Sequence, residues 1–154
     1  MHINNLPLPP LLLELIAQNR WRVPENASAI EYMDIFQGDI DLSEICFWNL
    51  DEMQKKTDFI VRNAENNKPR FSKNWAGSLE NKVTPKTFDA EKIIVIMDLI
   101  IPYNNSHNSV NPICLDYRLS LEHPSVIQYP DDVFEQYWDE VSPSFEQFVK
   151  DLKL

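Results

Sequence analysis

The residues of this chain best suited to chemistry sit in one short run, Cys114–Leu115–Asp116–Tyr117–Arg118. A thiol, a carboxylate and a guanidinium alternate there with apolar or aromatic neighbours. On a β-strand successive side chains point to opposite faces, so Cys114, Asp116 and Arg118 would share one side, with Ile113, Leu115 and Tyr117 on the other. Such a trio becomes a nucleophilic site if a general base joins it. That base would be His2, His107 or His123. His2 is near the first residue, His107 lies in a polar stretch, and His123 precedes Pro124 in a connection. Sequence places none of them beside Cys114. The expectation is therefore structural: Cys114 packs as a small apolar residue, while Asp116 and Arg118 pair with each other or with adjacent strands. A small thiol enzyme using Cys114 is the alternative.

Carboxylates elsewhere offer a different kind of chemistry. Asp131–Asp132 and Asp139–Glu140 have no His or Cys gathered near them, so a helix cap and a solvated face suit them better than a metal. Residues 25–54 hold eight acids and no Lys or Arg. Within that stretch Asp34, Asp39, Asp41 and Glu44 read either as an ordinary solvated edge or as an acidic patch that receives a basic partner. The whole chain carries a net −10, from 14 basic and 24 acidic residues. That balance disfavours direct contact with nucleic acid, whose phosphates call for Lys and Arg. It would instead speed encounter with a cationic protein. With only two glycines, Gly38 and Gly77, no glycine-rich phosphate loop can form, which excludes the usual P-loop and dinucleotide readings. No cofactor or metal is expected. The aromatic residues read mostly as core.

Elements must position these groups. Leu6 to Asn19 suits a helix with Pro9 or Pro10 in its first turn, and Leu12, Leu15, Ile16 and Asn19 follow helical spacing. Asn26 or Ser28 would cap a short helix bearing Ile30, Met33 and Phe36, which Gly38 ends. Glu44 to Trp48 reads as a strand. Asn49, with Glu52 three residues on, would open a helix to about residue 64. Residues 63–86 read as a long irregular excursion. Lys92 to Ile100 is a continuous apolar run, as in a strand buried on both faces. A loop at Tyr103 to Ser109 follows, then strands over Ile113 to Arg118 and Ser125 to Tyr129. Ser142 or Ser144 would cap a last helix, with Pro143 in its first turn and Phe145, Phe148, Val149 and Leu152 on its apolar face. Phe134, Tyr137, Trp138 and Val141 fit helical spacing, yet their aromatic and branched content fits a strand.

A chain of 154 residues suits one domain, spanning residues 1–154. The run Leu6 to Ile16 lacks the basic start and cleavage site of a leader. The run Ile93 to Ile101 is too short to span a bilayer. Cys46 and Cys114 lack metal-ligand spacing. These features lead to the expectation of a cytoplasmic protein with reduced thiols and no membrane partner.

Four stretches taken together carry a family resemblance: "LPLPPLLLELIAQNRWRVP", "ICLDYR", "PSVIQY" and "WDEVSPSFEQFV". In their order along the chain, with the buried run "KIIVIMDLI" between the first and second, they resemble the SUKH superfamily. That group includes the yeast regulator of cell-wall glucan synthesis and many bacterial immunity proteins. The resemblance covers roughly residues 6–54 and 88–152. It implies an α+β fold in which N- and C-terminal helices pack on a central, largely antiparallel sheet, with no shared catalytic machinery. It also implies a protein partner, commonly a cognate polymorphic toxin of nuclease or deaminase type, and a strand near Tyr137 to Val141. Under it, Asp116, Tyr117, Arg118 and Phe145 are structural. A housekeeping regulatory module is the alternative role. The family fixes no toxin contacts, so the assignment of Asp34, Asp39, Asp41 and Glu44 to partner binding rests on charge alone.

Overall fold

The computed structural model describes residues 1–66, 89–104, 107–128 and 138–154. It has an α+β fold: a five-stranded antiparallel sheet with helices packed on both faces. The irregular excursion expected at 63–86 does not begin at residue 63, because 63–66 continue a helix; its remainder and the stretch 129–137 fall outside the described residues.

The chain opens with a small hairpin that the leucine–proline run concealed. Strands β1 (His2–Ile3) and β2 (Leu6–Pro7) pair antiparallel. Asn4 and Asn5 lie between them at φ 51° and 65°, the positive values that a two-residue hairpin turn demands and Asn tolerates. Helix α1 is therefore shorter than the expected Leu6 to Asn19. It spans Pro10–Ala17 with proline in its first turn, and it buries Leu12 and Leu15.

Helix α2 (Ala29–Phe36) is capped by Ser28, whose side chain accepts from the Glu31 N–H. Gln37, not Gly38, takes the left-handed conformation that ends it, at φ 56°. Strand β3 (Ile45–Phe47) follows a single 3-10 turn at Leu42–Glu44. Asn49 Oδ1 accepts from the Glu52 N–H at 3.0 Å and so opens α3 (Leu50–Asn66).

Strands β4 (Ile93–Asn104), β5 (His107–Asp116), β6 (Ser125–Gln128) and β7 (Asp139–Ser142) complete a sheet in the order β3-β4-β5-β6-β7. The expected loop at Tyr103 to Ser109 is largely strand, since β4 runs to Asn104 and β5 starts at His107. Backbone pairing here overrides the polar composition. The strand expected near 137–141 is β7, displaced by one or two residues. Helix α4 (Phe145–Asp151) is capped by Ser144, which places Pro143 before the helix and not within its first turn.

The bulge in β4 decides which side chains face which layer. Val95 pairs with Cys114 and Met97 with Ile113, so Ile96 is the extra residue. An extra residue inverts the alternation beyond it. Ile94, Ile96, Met97 and Leu99 consequently all join the core under α1, α2 and α4. Ile93 and Val95 face the opposite layer with Cys114, Ile127 and Trp138, against Trp48 and Ile60. Thr57 of α3 fastens that second layer: its fully buried hydroxyl accepts from the Val95 N–H at 3.0 Å and donates to the Met53 carbonyl at 2.7 Å.

Candidate functional site

The run that opened the question of chemistry is closed in on itself. Strand β5 ends at Asp116, and Arg118 lies past it and folds back. Asp116 Oδ1 accepts from the Arg118 N–H at 3.1 Å and from Nε at 2.8 Å, and Oδ2 accepts from a terminal guanidinium nitrogen at 2.6 Å. Both side chains are 4% exposed. An Asp beginning a turn bonds the backbone two residues on, and a bidentate guanidinium completes its carboxylate. Tyr117 points to the other face, where its hydroxyl donates to the Pro7 carbonyl and its N–H to the Lys92 carbonyl. It thereby ties β5 to the N-terminal hairpin. Phe145 is fully buried, its ring 5.8 Å from Trp21 and 6.5 Å from Phe148.

Cys114 shares the Asp116 face but is wholly buried between Val95 and Ile127. Burial first, then the charges of Asp98 and Asp116, push its thiol well above its ordinary range. A thiol so placed stays protonated at neutral pH and is a poor nucleophile. His2 and His123 are exposed on the surface, and the side chain of His107 lies outside the described residues.

The acidic stretch is organised the opposite way. Tyr32 and Phe36 anchor α2 in the core, each 2% exposed, and leave Asp34 outside. The segment to β3 then alternates: Asp39 is exposed, Ile40 is buried, and Asp41 is exposed. Leu42 packs partly against the core, and Glu44 is half-buried. Apolar pins thus hold the segment while its carboxylates face water. Asp41 caps the 3-10 turn, accepting from the Ser43 N–H at 2.9 Å and its hydroxyl at 2.8 Å. Those bonds, backbone first, lower its pKa. Asp34, Asp39 and Glu44 form no ion pair with any described residue. Of the other acids, Glu31 is held by Lys153 at 2.7 Å and Glu52 by Lys55 at 2.7 Å.

The scaffold beneath the patch is cross-braced. The Tyr32 hydroxyl donates to the Leu152 carbonyl at 3.1 Å, and Gln128 Nε2 donates to the Phe36 carbonyl at 2.9 Å. Sequence reasoning had no means of finding these long-range partners. It also missed the pairing of Asp98 with Lys56, at 2.6 Å, although a carboxylate inside an apolar run was its signal. The Lys56 ammonium lies 4.5 Å from the centre of the Trp48 ring, close enough for a cation–π contact.

Two recesses accompany these features. A cleft of about 750 Å³ is lined by Asn4, Asn5, Asp58, Arg62, Glu91 and Lys92 among others, with cations and anions in balance. A groove of about 250 Å³ lies over Asp98 between Phe59, Ile60, Val110 and Pro112. Neither gathers a nucleophile with a base, and among the described residues no three His, Cys, Asp or Glu side chains cluster as a metal site would need. No described helix is long and apolar enough to cross a membrane. Asp34, Asp39 and Glu44 carry carboxylates without an ion-pair partner among the described residues, with the capping Asp41 between them. Comparison with protein-family models, with curated proteins and with solved structures returned no match.

Proposed function

We propose that this chain is a non-enzymatic binding module of SUKH type, an immunity protein that captures a basic toxin domain in the cytoplasm. The observation that carries the reading is the contrast in charge commitment. Among the described residues Asp34, Asp39 and Glu44 have no cationic partner, yet they sit on a segment pinned by Ile40 and cross-braced through Tyr32 and Gln128. Preorganised, unneutralised carboxylates suit a partner rich in Lys and Arg, such as the phosphate-binding face of a nuclease. Ile30 adds an apolar anchor. It is 71% exposed and one helical turn before Asp34 on the same side of α2. Bound there, the protein would occupy the place of the substrate backbone. Both cysteines are free, as a reduced compartment would have them.

The test is co-purification of the protein from its native cells, identification of what it holds, and expression of that partner with and without it. The proposal expects a basic partner whose toxicity the protein suppresses, and suppression that survives Cys114→Ala. A partner that is acidic, or one whose activity is unaffected by binding, contradicts it. In that second case a housekeeping regulatory role is the better reading.

A further inference from the structure

Among the described residues β3 is a margin of the sheet, and it lies immediately after the acidic segment. Its three residues pair with one neighbour: Ile45 with Leu99, Cys46 with Asp98 and Phe47 with Met97. The Trp48 N–H then donates to the Ile96 carbonyl at 3.1 Å. In an antiparallel ladder, bonded and non-bonded pairs alternate. Cys46 and Trp48 therefore turn their amides and carbonyls toward β4, and Ile45 and Phe47 turn theirs away from it. The outward Ile45 N–H is satisfied by the Leu42 carbonyl. The Ile45 carbonyl and both backbone groups of Phe47 have no partner among the described residues.

We propose that this margin is a docking edge: an extended segment of a partner protein, bearing Lys or Arg, adds to the sheet beside Ile45–Phe47 with its cations against Asp39, Asp41 and Glu44. The inference rests on the basic-partner reading above and specifies where, and in what conformation, that partner is held. Addition of a strand supplies direction and register through the backbone, and flanking side chains supply selectivity. Charge chooses the occupant. Two copies of this chain joined through β3 would bring two sets of the same carboxylates together, and like charges facing each other oppose pairing. A basic segment meets attraction instead. Because the edge is short, few backbone bonds can form, and binding should depend strongly on salt.

The experiment uses the whole protein and a capped seven-residue peptide alternating lysine and valine, with its fully N-methylated analogue as a control of equal charge and no backbone donors. Residue-resolved amide hydrogen exchange gives the readout. In the free protein the Phe47 amide should exchange at least about tenfold faster than those of Cys46 and Trp48, as an unpaired edge group does. The peptide should slow Phe47 by about tenfold or more while leaving Cys46 and Trp48 unchanged, and the methylated analogue should not. Replacing Asp39, Asp41 and Glu44 by Asn, Asn and Gln should lower peptide affinity about tenfold at low salt, the sum expected of three exposed ion pairs. Equal binding of both peptides with Phe47 unchanged would overturn the docking edge and leave the basic-partner reading standing, since attraction by charge alone would persist. Binding of neither peptide would also overturn the edge; the basic-partner reading would then be decided by the co-purified partner. Phe47 protection in the free protein, whether constant or rising with protein concentration, would overturn it as well, by showing the edge already covered by this chain or by a second copy.

Discussion

Asp116 and Arg118 on one side, and the carboxylates from Asp34 to Glu44 on the other, are equally polar in sequence and opposite in the folded chain. The first two satisfy each other with three hydrogen bonds while 4% exposed. The second group projects from a pinned backbone and, Asp41's bonds to Ser43 aside, its carboxylates bind nothing among the described residues. The contrast separates groups that hold the fold from groups available to something else. Chemical type did not distinguish them; burial beside an oppositely charged partner did.

That division can be broken by substitution. The largest effect is expected at the buried pair. Arg118→Ala leaves the Asp116 carboxylate uncompensated out of water, at a cost of about 3–5 kcal/mol, and Asp116→Ala does likewise. For a chain of this size the midpoint of thermal unfolding should fall by roughly 6–20 °C. Variants that melt like the parent yet lose the partner would move the pair from the fold to the interface.

Lys56→Met should come next. It keeps the side-chain stem over Trp48 but strands Asp98, whose side chain is 3% exposed. Because Lys56 itself is partly solvated, the expected loss is smaller, about 1–3 kcal/mol by denaturant unfolding. A loss within experimental error would mean that water already compensates Asp98.

A smaller effect concerns alkaline pH. Burial, followed by the charge of Glu31, raises the Tyr32 phenol from 10.0 to about 12. A group that holds its proton more tightly when folded contributes stability below its unfolded pKa and loses it as pH rises toward the folded value. Stability should therefore decline between pH 10 and pH 12. Tyr32→Phe should flatten that decline while costing about 1 kcal/mol at neutral pH through the lost bond to Leu152. An unchanged slope would assign the alkaline loss to other groups, Cys114 and Tyr117 first among them. The smallest stability effect belongs to the acidic patch. Neutralising Asp34, Asp39, Asp41 and Glu44 to Asn and Gln should leave the melting temperature unchanged, since Asn at 41 can still cap the 3-10 turn.

How much of this was legible beforehand depended on how local the signal was. The α4 face, with Phe145, Phe148 and Val149 buried, follows from helical spacing. The apolar run of β4 announces a strand covered on both sides, as Ile93 to Met97 are. The β1–β2 hairpin was not legible, because two-residue strands carry no periodicity and Leu6 and Pro7 blend into the run that begins α1. Gly38 drew attention as a helix terminator, although Gln37 adopts the left-handed conformation. The bulge at Ile96 has no sequence signature, yet it alone turns Asp98 toward Lys56. Of the candidate site, the excess of carboxylates was plain from composition. The lack of an ion pair among the described residues was not, because partners such as Glu31 and Lys153 meet across 122 positions of sequence.

The most direct measurement is the association rate of the co-purified partner with the parent protein and with the fourfold neutralised variant, across a series of salt concentrations. Steering acts before docking, so the parent should associate about tenfold or more faster than the variant at low salt. The two rates should converge toward 1 M salt, where the Debye length shrinks to about 3 Å. Equal rates at low salt, with both proteins folded, would contradict the claim that these carboxylates receive the partner.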